Sequence, residues 1–192
     1  MNSEKYIEIF KKSGALLEGH FVLTSGRHSS SYFQCAKLLQ YPKYLELFSN
    51  NIANHFKDNE IDLVISPAVG GIVLGTEVGR VLKKRTVFAE RDNGKMVMRR
   101  GFDIKAKEKV LIVEDVITTG GSVKEVMDLV EDFGGSIVGV GVIVDRSSGA
   151  VILHDNQLSL TSLNVKSYDP SNVPSDLASI PVEKPGSRSL VK

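Results

Sequence analysis

The chain has 192 residues, 42% of them hydrophobic, with 24 Lys and Arg against 23 Asp and Glu and a formal charge of +1. That length and apolar content suit one main domain with a sizeable core, while the balanced charge excludes a global basic field for nucleic acid or an anionic membrane, so any anion site must be local. No apolar run approaches the roughly 20 residues that cross a bilayer, and residues 1–12 are polar and mixed in charge rather than signal-like, which makes the cytoplasm the expected location.

Tyr6, Ile7, Ile9, Phe10, Leu16 and Leu17 recur at roughly helical spacing and predict a first amphipathic helix over 3–17. A polar and aromatic stretch, 20–41, follows. It contains the single cysteine, Cys35, which can form no internal disulfide and reads as a packing residue. Pro42 opens a second helix whose apolar face carries Leu45, Phe48, Ile52 and Phe56, stopping near Asp58.

From there strands and helices alternate: strand 61–65, helix 71–84, strand 86–89, a polar segment 91–107, strand 109–113, helix 121–133 and strand 136–144. Short apolar strands separated by helices predict an α/β fold with a parallel central sheet covered on both faces. Right-handed crossovers then gather the loops after the strand C-termini on one rim, where ligands bind in open α/β sheets. A strand-like run, 158–165, precedes a tail with Pro170, Pro174, Pro181 and Pro185, too rich in proline for a helix. Its Ile180-Pro181-Val182 suits docking, and the tail and N-terminal segment together predict a small hood, about 1–42 and 166–192, beside a core of 43–165.

The densest chemistry lies in Glu114-Asp115-Val116-Ile117-Thr118-Thr119-Gly120-Gly121-Ser122, directly after the apolar strand 110–113. Two adjacent carboxylates can accept hydrogen bonds from vicinal ribose hydroxyls. The backbone N–H groups of 118–122 and the hydroxyls of Thr118, Thr119 and Ser122 can wrap a phosphate at a helix start, and glycines at 120 and 121 let the backbone approach closely. The plainer alternative is a strand-to-helix turn whose polar residues only cap the helix. One short polar side chain suffices for a cap, whereas here two acids, three hydroxyls and two glycines fall within nine residues.

A second glycine-bearing loop, Ser66-Pro67-Ala68-Val69-Gly70-Gly71, also joins a strand to a helix and suits a second phosphoryl group. The segment Glu90 to Gly101 mixes cations with turn residues and has no evident crossover helix. It predicts either a mobile flap bringing Arg91 and Lys95 to a departing anion or a solvated hairpin about Asn93-Gly94; for Arg99 and Arg100 the solvated surface is favoured. His20, His28, His55 and His154 are scattered without a carboxylate at ligand or triad spacing, so no protein metal cage is expected.

The 110–122 segment resembles the signature of the type I phosphoribosyltransferases. Phe21 to Gln34, Leu39 to Pro42, Val144 to Gly149 and Val182 to Arg188 are similar to orotate phosphoribosyltransferases of a shorter-flap branch, so the resemblance covers most of the chain. It implies transfer of a phosphoribosyl group from 5-phosphoribosyl-1-pyrophosphate to orotate, with Mg²⁺ held mainly by the donor and water, and a homodimer. It also implies that Glu114 and Asp115 orient the ribose, that 116–122 and Val69, Gly70 and Gly71 bind the donor, and that Arg91 and Lys95 serve the pyrophosphate. Orotate falls to Thr118, Arg146, Tyr32 and Phe33; Arg146 offers a planar fork, with a salt bridge to Asp145 as its structural alternative.

Thr24 stands where many members carry Lys, Val69-Gly70 where a Tyr-Lys pair is common, and Asp92 and Val97 where the flap is usually basic. These departures shift the pyrophosphate grip toward backbone amides and the remaining cations. Val173 and Asp176 replace cysteines of some branch members, so no structural metal is implied. The rival readings are a purine or xanthine phosphoribosyltransferase, and a non-catalytic nucleotide-sensing regulator that binds RNA or DNA. The second predicts a basic face or an added helical DNA-binding unit, which this composition lacks.

Overall fold

A computed structural model describes residues 3–23 and 25–184. The chain separates into two compact units, 1–38 with 164–192, and 39–163. Thr24 and the stretch 185–192, which includes the last part of the resemblance, lie outside the described residues.

The larger unit is built on six strands. They are β3 (Leu63–Pro67), β4 (Arg85–Asp92), β5 (Lys95–Met98), β6 (Lys109–Ile117), β7 (Ser136–Asp145) and β8 (Gln157–Ser162), in spatial order β5-β4-β3-β6-β7-β8. All neighbours pair parallel except β4 with β5. The central strands read as unbroken apolar runs because both faces are covered: every residue of β3 is buried.

Three helices belong to this unit, α3 (Pro42–Phe56), α4 (Gly70–Leu82) and α5 (Gly121–Asp132). The face under α5 packs Leu63, Ile65, Val87, Val110, Ile112, Val140 and Val142 against Val123, Val126 and Val130. On β7, Gly141 makes room for α3: a β-carbon there would stand 2.7 Å from Cγ2 of Ile52 and 3.1 Å from Cε2 of Phe56. Glycine inside a strand here marks close approach rather than a turn.

The smaller unit holds α1 (Ser3–Lys12), β1 (Leu16–Val22), β2 (His28–Phe33), β9 (Ser167–Tyr168), α6 (Ser175–Ala178) and β10 (Val182–Glu183), with a 3₁₀ turn at Pro170–Asn172. A short helix, α2 (Ala36–Leu39), spans the point in the chain where one unit gives way to the other. The four strands form a separate sheet ordered β10-β1-β2-β9. Two expectations are corrected here. The first helix ends at Lys12, because Gly14 takes a left-handed φ of +69° and Leu16 and Leu17 enter β1 instead. The tail is not helix-free: Pro174 precedes α6 at a position where its missing N–H costs nothing. Ile180-Pro181-Val182 does dock, Val182 pairing with His20 on β1.

Candidate active site

Register between β6 and β7 brings the principal residues to one rim. Ile117 pairs with Asp145, and the Arg146 N–H donates to the Ile117 carbonyl at 2.8 Å. Thr118 and Arg146 therefore leave adjacent strand ends, one residue beyond a fixed pair. Asp145 is not simply a partner for Arg146. Its two carboxylate oxygens accept the N–H groups of Ser147 at 2.6 Å and Gly149 at 2.7 Å, shaping the turn in which Ser148 and Gly149 take left-handed φ values. That role was missed from sequence, although Asp-x-Ser-Ser-Gly is a loop signal in which the acid bonds its own downstream backbone.

The loop after β6 curls into a concave cradle lined by Glu114 and residues 116–123. Gly120 is the N-cap of α5 with φ +75°, and no side chain caps the helix. A β-carbon on it would also strike Val151 at 2.7 Å, so glycine is required twice over. The first N–H groups of a helix have no acceptor within it. No side chain satisfies those of α5, and Thr118 and Thr119 stand exposed beside them, an arrangement able to accept an anion.

Glu114 is 8% exposed, and its Oε1 accepts the Asp115 N–H at 3.0 Å. Burial first, and then the negative charge and side-chain hydrogen bond of Asp115, push its carboxyl well above the usual carboxylate range. The Ser66–Gly71 loop is stacked directly on this acid pair. A β-carbon on Gly70 would lie 2.6 Å from Oδ2 of Asp115, and one on Gly71 3.2 Å from Oε1 of Glu114. The Ala68–Val69 peptide is cis, Val69 is 81% exposed, and the Ala68 N–H donates to the Ala89 carbonyl on β4 at 2.7 Å. Thus the two glycine loops and the two acids form one constellation.

The segment after β4 is a β-hairpin with Asn93 and Gly94 both at positive φ, the turn that this dipeptide favours. Arg91, one of the two cations expected at the pyrophosphate, donates to the Gly94 carbonyl at 3.0 Å and to Glu125 on α5 at 2.8 Å. Arg99 and Arg100, for which the sequence favours the solvated surface, are exposed, and both meet the Glu90 carboxylate, at 3.5 and 3.0 Å. Lys95 is exposed and forms no ion pair among the described residues.

Tyr32 and Phe33 belong to the smaller unit. Phe33 is buried with its ring edge-on to Phe10 at 4.9 Å; Tyr32 is half-buried, 5.9 Å from Phe21. Glu114 and Asp115 offer hard oxygen donors suited to Mg²⁺, but two carboxylates make no cage. The fit is to an ion that takes most of its ligands from phosphate and water.

A mostly parallel sheet with an acid pair and an uncapped, hydroxyl-lined glycine loop at one rim is the frame of a phosphoribosyltransferase, and the family model for the phosphoribosyl transferase domain matches residues 35–171. The chain is 60% identical over 190 residues to orotate phosphoribosyltransferase of Chlorobium phaeobacteroides (strain BS1), covering 99% of this chain and 98% of that one. It is 52% identical to the enzyme of the same name from Caldicellulosiruptor saccharolyticus, over 99% and 100% of the two chains. The crystal structure of orotate phosphoribosyltransferase from Aeropyrum pernix superposes with a TM-score of 0.69 at 25% identity, over 81% of this chain and 92% of that one. The chain belongs to the orotate phosphoribosyltransferase family.

Proposed function

We propose that this chain joins N1 of orotate to C1 of 5-phosphoribosyl-1-pyrophosphate, with inversion at C1, releasing pyrophosphate and giving orotidine 5′-monophosphate. The observation that carries this is the abutment of Gly70 and Gly71 on Asp115 and Glu114, with the uncapped start of α5 on the same loop. A sugar phosphorylated at both ends needs that arrangement, with acceptors for its hydroxyls between two sets of anion-binding amides.

No protein nucleophile is required. Breaking the C1–oxygen bond early spreads positive charge over the sugar ring, so catalysis rests on holding the reactants in line and stabilising the leaving pyrophosphate. Asp115 accepts hydrogen bonds from the ribose hydroxyls, and Glu114, its carboxyl raised by burial and by Asp115, stands beside it as a second acceptor that can also donate whenever it carries its proton. Residues 116–122 hold the 5′-phosphate, while Val69, Gly70 and Gly71 present backbone to the pyrophosphate.

Lys95 supplies the hairpin's available cation. Thr118 and Arg146 address the edge of orotate, with the Arg146 guanidinium matching a carboxylate, and Tyr32 is the more exposed of the two rings proposed for its face. Mg²⁺, when bound with the donor, neutralises pyrophosphate charge and favours its departure. The two units act as a single phosphoribosyltransferase domain, and the chain works as a homodimer in the cytoplasm. No helix of the described residues is long and apolar enough to cross a membrane.

The test is the fall in orotate absorbance on adding the donor and Mg²⁺, with a magnesium-free control and a panel of adenine, guanine and xanthine. Turnover confined to orotate is expected. Turnover only with a purine, or none with any base, would sink the assignment.

A further inference from the structure

Arg91 holds Glu125 by one hydrogen bond and one close ion contact: Nη2 donates to Oε1 at 2.8 Å and Nη1 stands 2.8 Å from Oε2. Nη1 also ties back the hairpin turn through the Gly94 carbonyl. Glu125 sits one helical turn beyond Gly121, the residue that opens α5 at the phosphate cradle. Across the hairpin, Met96 pairs with Arg91, so both side chains leave the same face of the ladder. Met96 is buried in the cluster that contains Val123 and Val126 of α5. Ion pair and apolar contact therefore fasten one face of the hairpin to this helix.

The neighbouring cations divide accordingly. Arg99 and Arg100 are committed to Glu90, and Arg91 to Glu125. Lys95 lines the groove between hairpin and helix with Glu125, Asp128 and Asp132, yet it pairs with none of them. The structure assigns Glu125 as a positioning residue for phosphoribosyl transfer: acting through Arg91, it fixes the hairpin on α5 and so sets where Lys95 stands relative to the phosphate cradle. This rests on the proposed role of Lys95 at the pyrophosphate.

Magnitudes decide where the effect is seen. A half-exposed ion pair contributes little to folding, whereas misplacing a catalytic group by about 1 Å can cost roughly 100-fold in rate. Removing Glu125 should therefore alter donor use far more than stability.

The experiment measures KM for 5-phosphoribosyl-1-pyrophosphate and for orotate in Glu125→Ala, Lys95→Ala and the charge swap Arg91→Glu with Glu125→Arg, together with amide exchange over 93–97. Glu125→Ala is expected to raise the donor KM about tenfold with the orotate KM within about twofold, and to speed exchange in the hairpin. The swap should recover most of both. An unchanged donor KM, an equal rise for orotate, or a swap no better than the single variant would overturn the proposal. Lys95→Ala with an unchanged donor KM would remove the pyrophosphate role on which the proposal rests, while the exchange rates still report whether Glu125 clamps the hairpin.

Discussion

A β-carbon on Gly70 would stand 2.6 Å from Oδ2 and 3.0 Å from Oδ1 of Asp115, so the first turn of α4 and the second acid of β6 occupy one space that only glycine permits. The glycine loop and the acid pair, separate in the chain, are thus a single geometric unit. Adding a methyl group must displace the carboxylate, because the other party is helix backbone. Gly70→Ala should lower kcat/KM for the phosphoribosyl donor by about 100-fold while the circular dichroism melt stays near that of the parent. An unperturbed kcat/KM would show that the carboxylate position is immaterial.

Asp115→Asn keeps the shape and removes the charge. Hydrogen bonds to charged groups contribute about 1.5–3 kcal/mol, which corresponds to a loss of about 10–100-fold in turnover with the fold intact. Steady-state kinetics at saturating substrates check this, and undiminished turnover would contradict ribose positioning by Asp115.

Glu114 makes a prediction about stability and pH. Its carboxyl is raised in the folded state by burial and by Asp115, so the folded protein holds this proton to higher pH than the unfolded chain does. Below the ordinary carboxylate range both states are protonated and the group costs nothing. As pH rises from the unfolded pKa toward the raised folded one, the cost of the buried charge grows, and above the folded pKa it is complete. Glu114→Gln should therefore melt higher than the parent at neutral pH, by about 2–4 °C per kcal/mol relieved, with the difference vanishing in acid. Thermal melts across pH measure it, and a gap that widens as pH falls would contradict the sign.

Gly141 tests the packing of α3 on β7. Alanine there would press on Ile52 and Phe56, both fully buried with little room to yield. Overpacking of this kind costs about 1–3 kcal/mol. Gly141→Ala should lower the melting temperature by about 2–4 °C per kcal/mol without changing the donor KM, since the position lies among the core residues of the sheet. A melt equal to the parent's would mean that α3 shifts freely.

The hairpin at 91–98 shows where sequence reading stops. Asn93-Gly94 between two extended runs marks the turn, because both residues must take positive φ. The choice between flap cation and structural anchor for Arg91 was not legible, since it depends on Glu125 arriving from a helix elsewhere in the chain. The same holds in the smaller unit. His20 and His28 look scattered along the chain, yet β1 and β2 bring Nε2 of His20 to 2.6 Å from Nδ1 of His28, with the other His20 nitrogen 3.1 Å from the Ile180 carbonyl.

What the amino-acid order determined by itself was everything local: the apolar runs of β3, β6 and β7, the helical spacing of α3 and α5, and the acid, hydroxyl and glycine cluster at 114–122. Apolar period and backbone permissiveness act over a few residues, so they are written in adjacent letters. Only the tertiary structure decided that Gly70 lies on Asp115, that Arg146 emerges beside Thr118, that Arg91 is held by Glu125, and that short polar segments such as Val182–Glu183 are strands at all. Those outcomes depend on register and close packing between distant segments, and the energy that selects them belongs to no single stretch of chain.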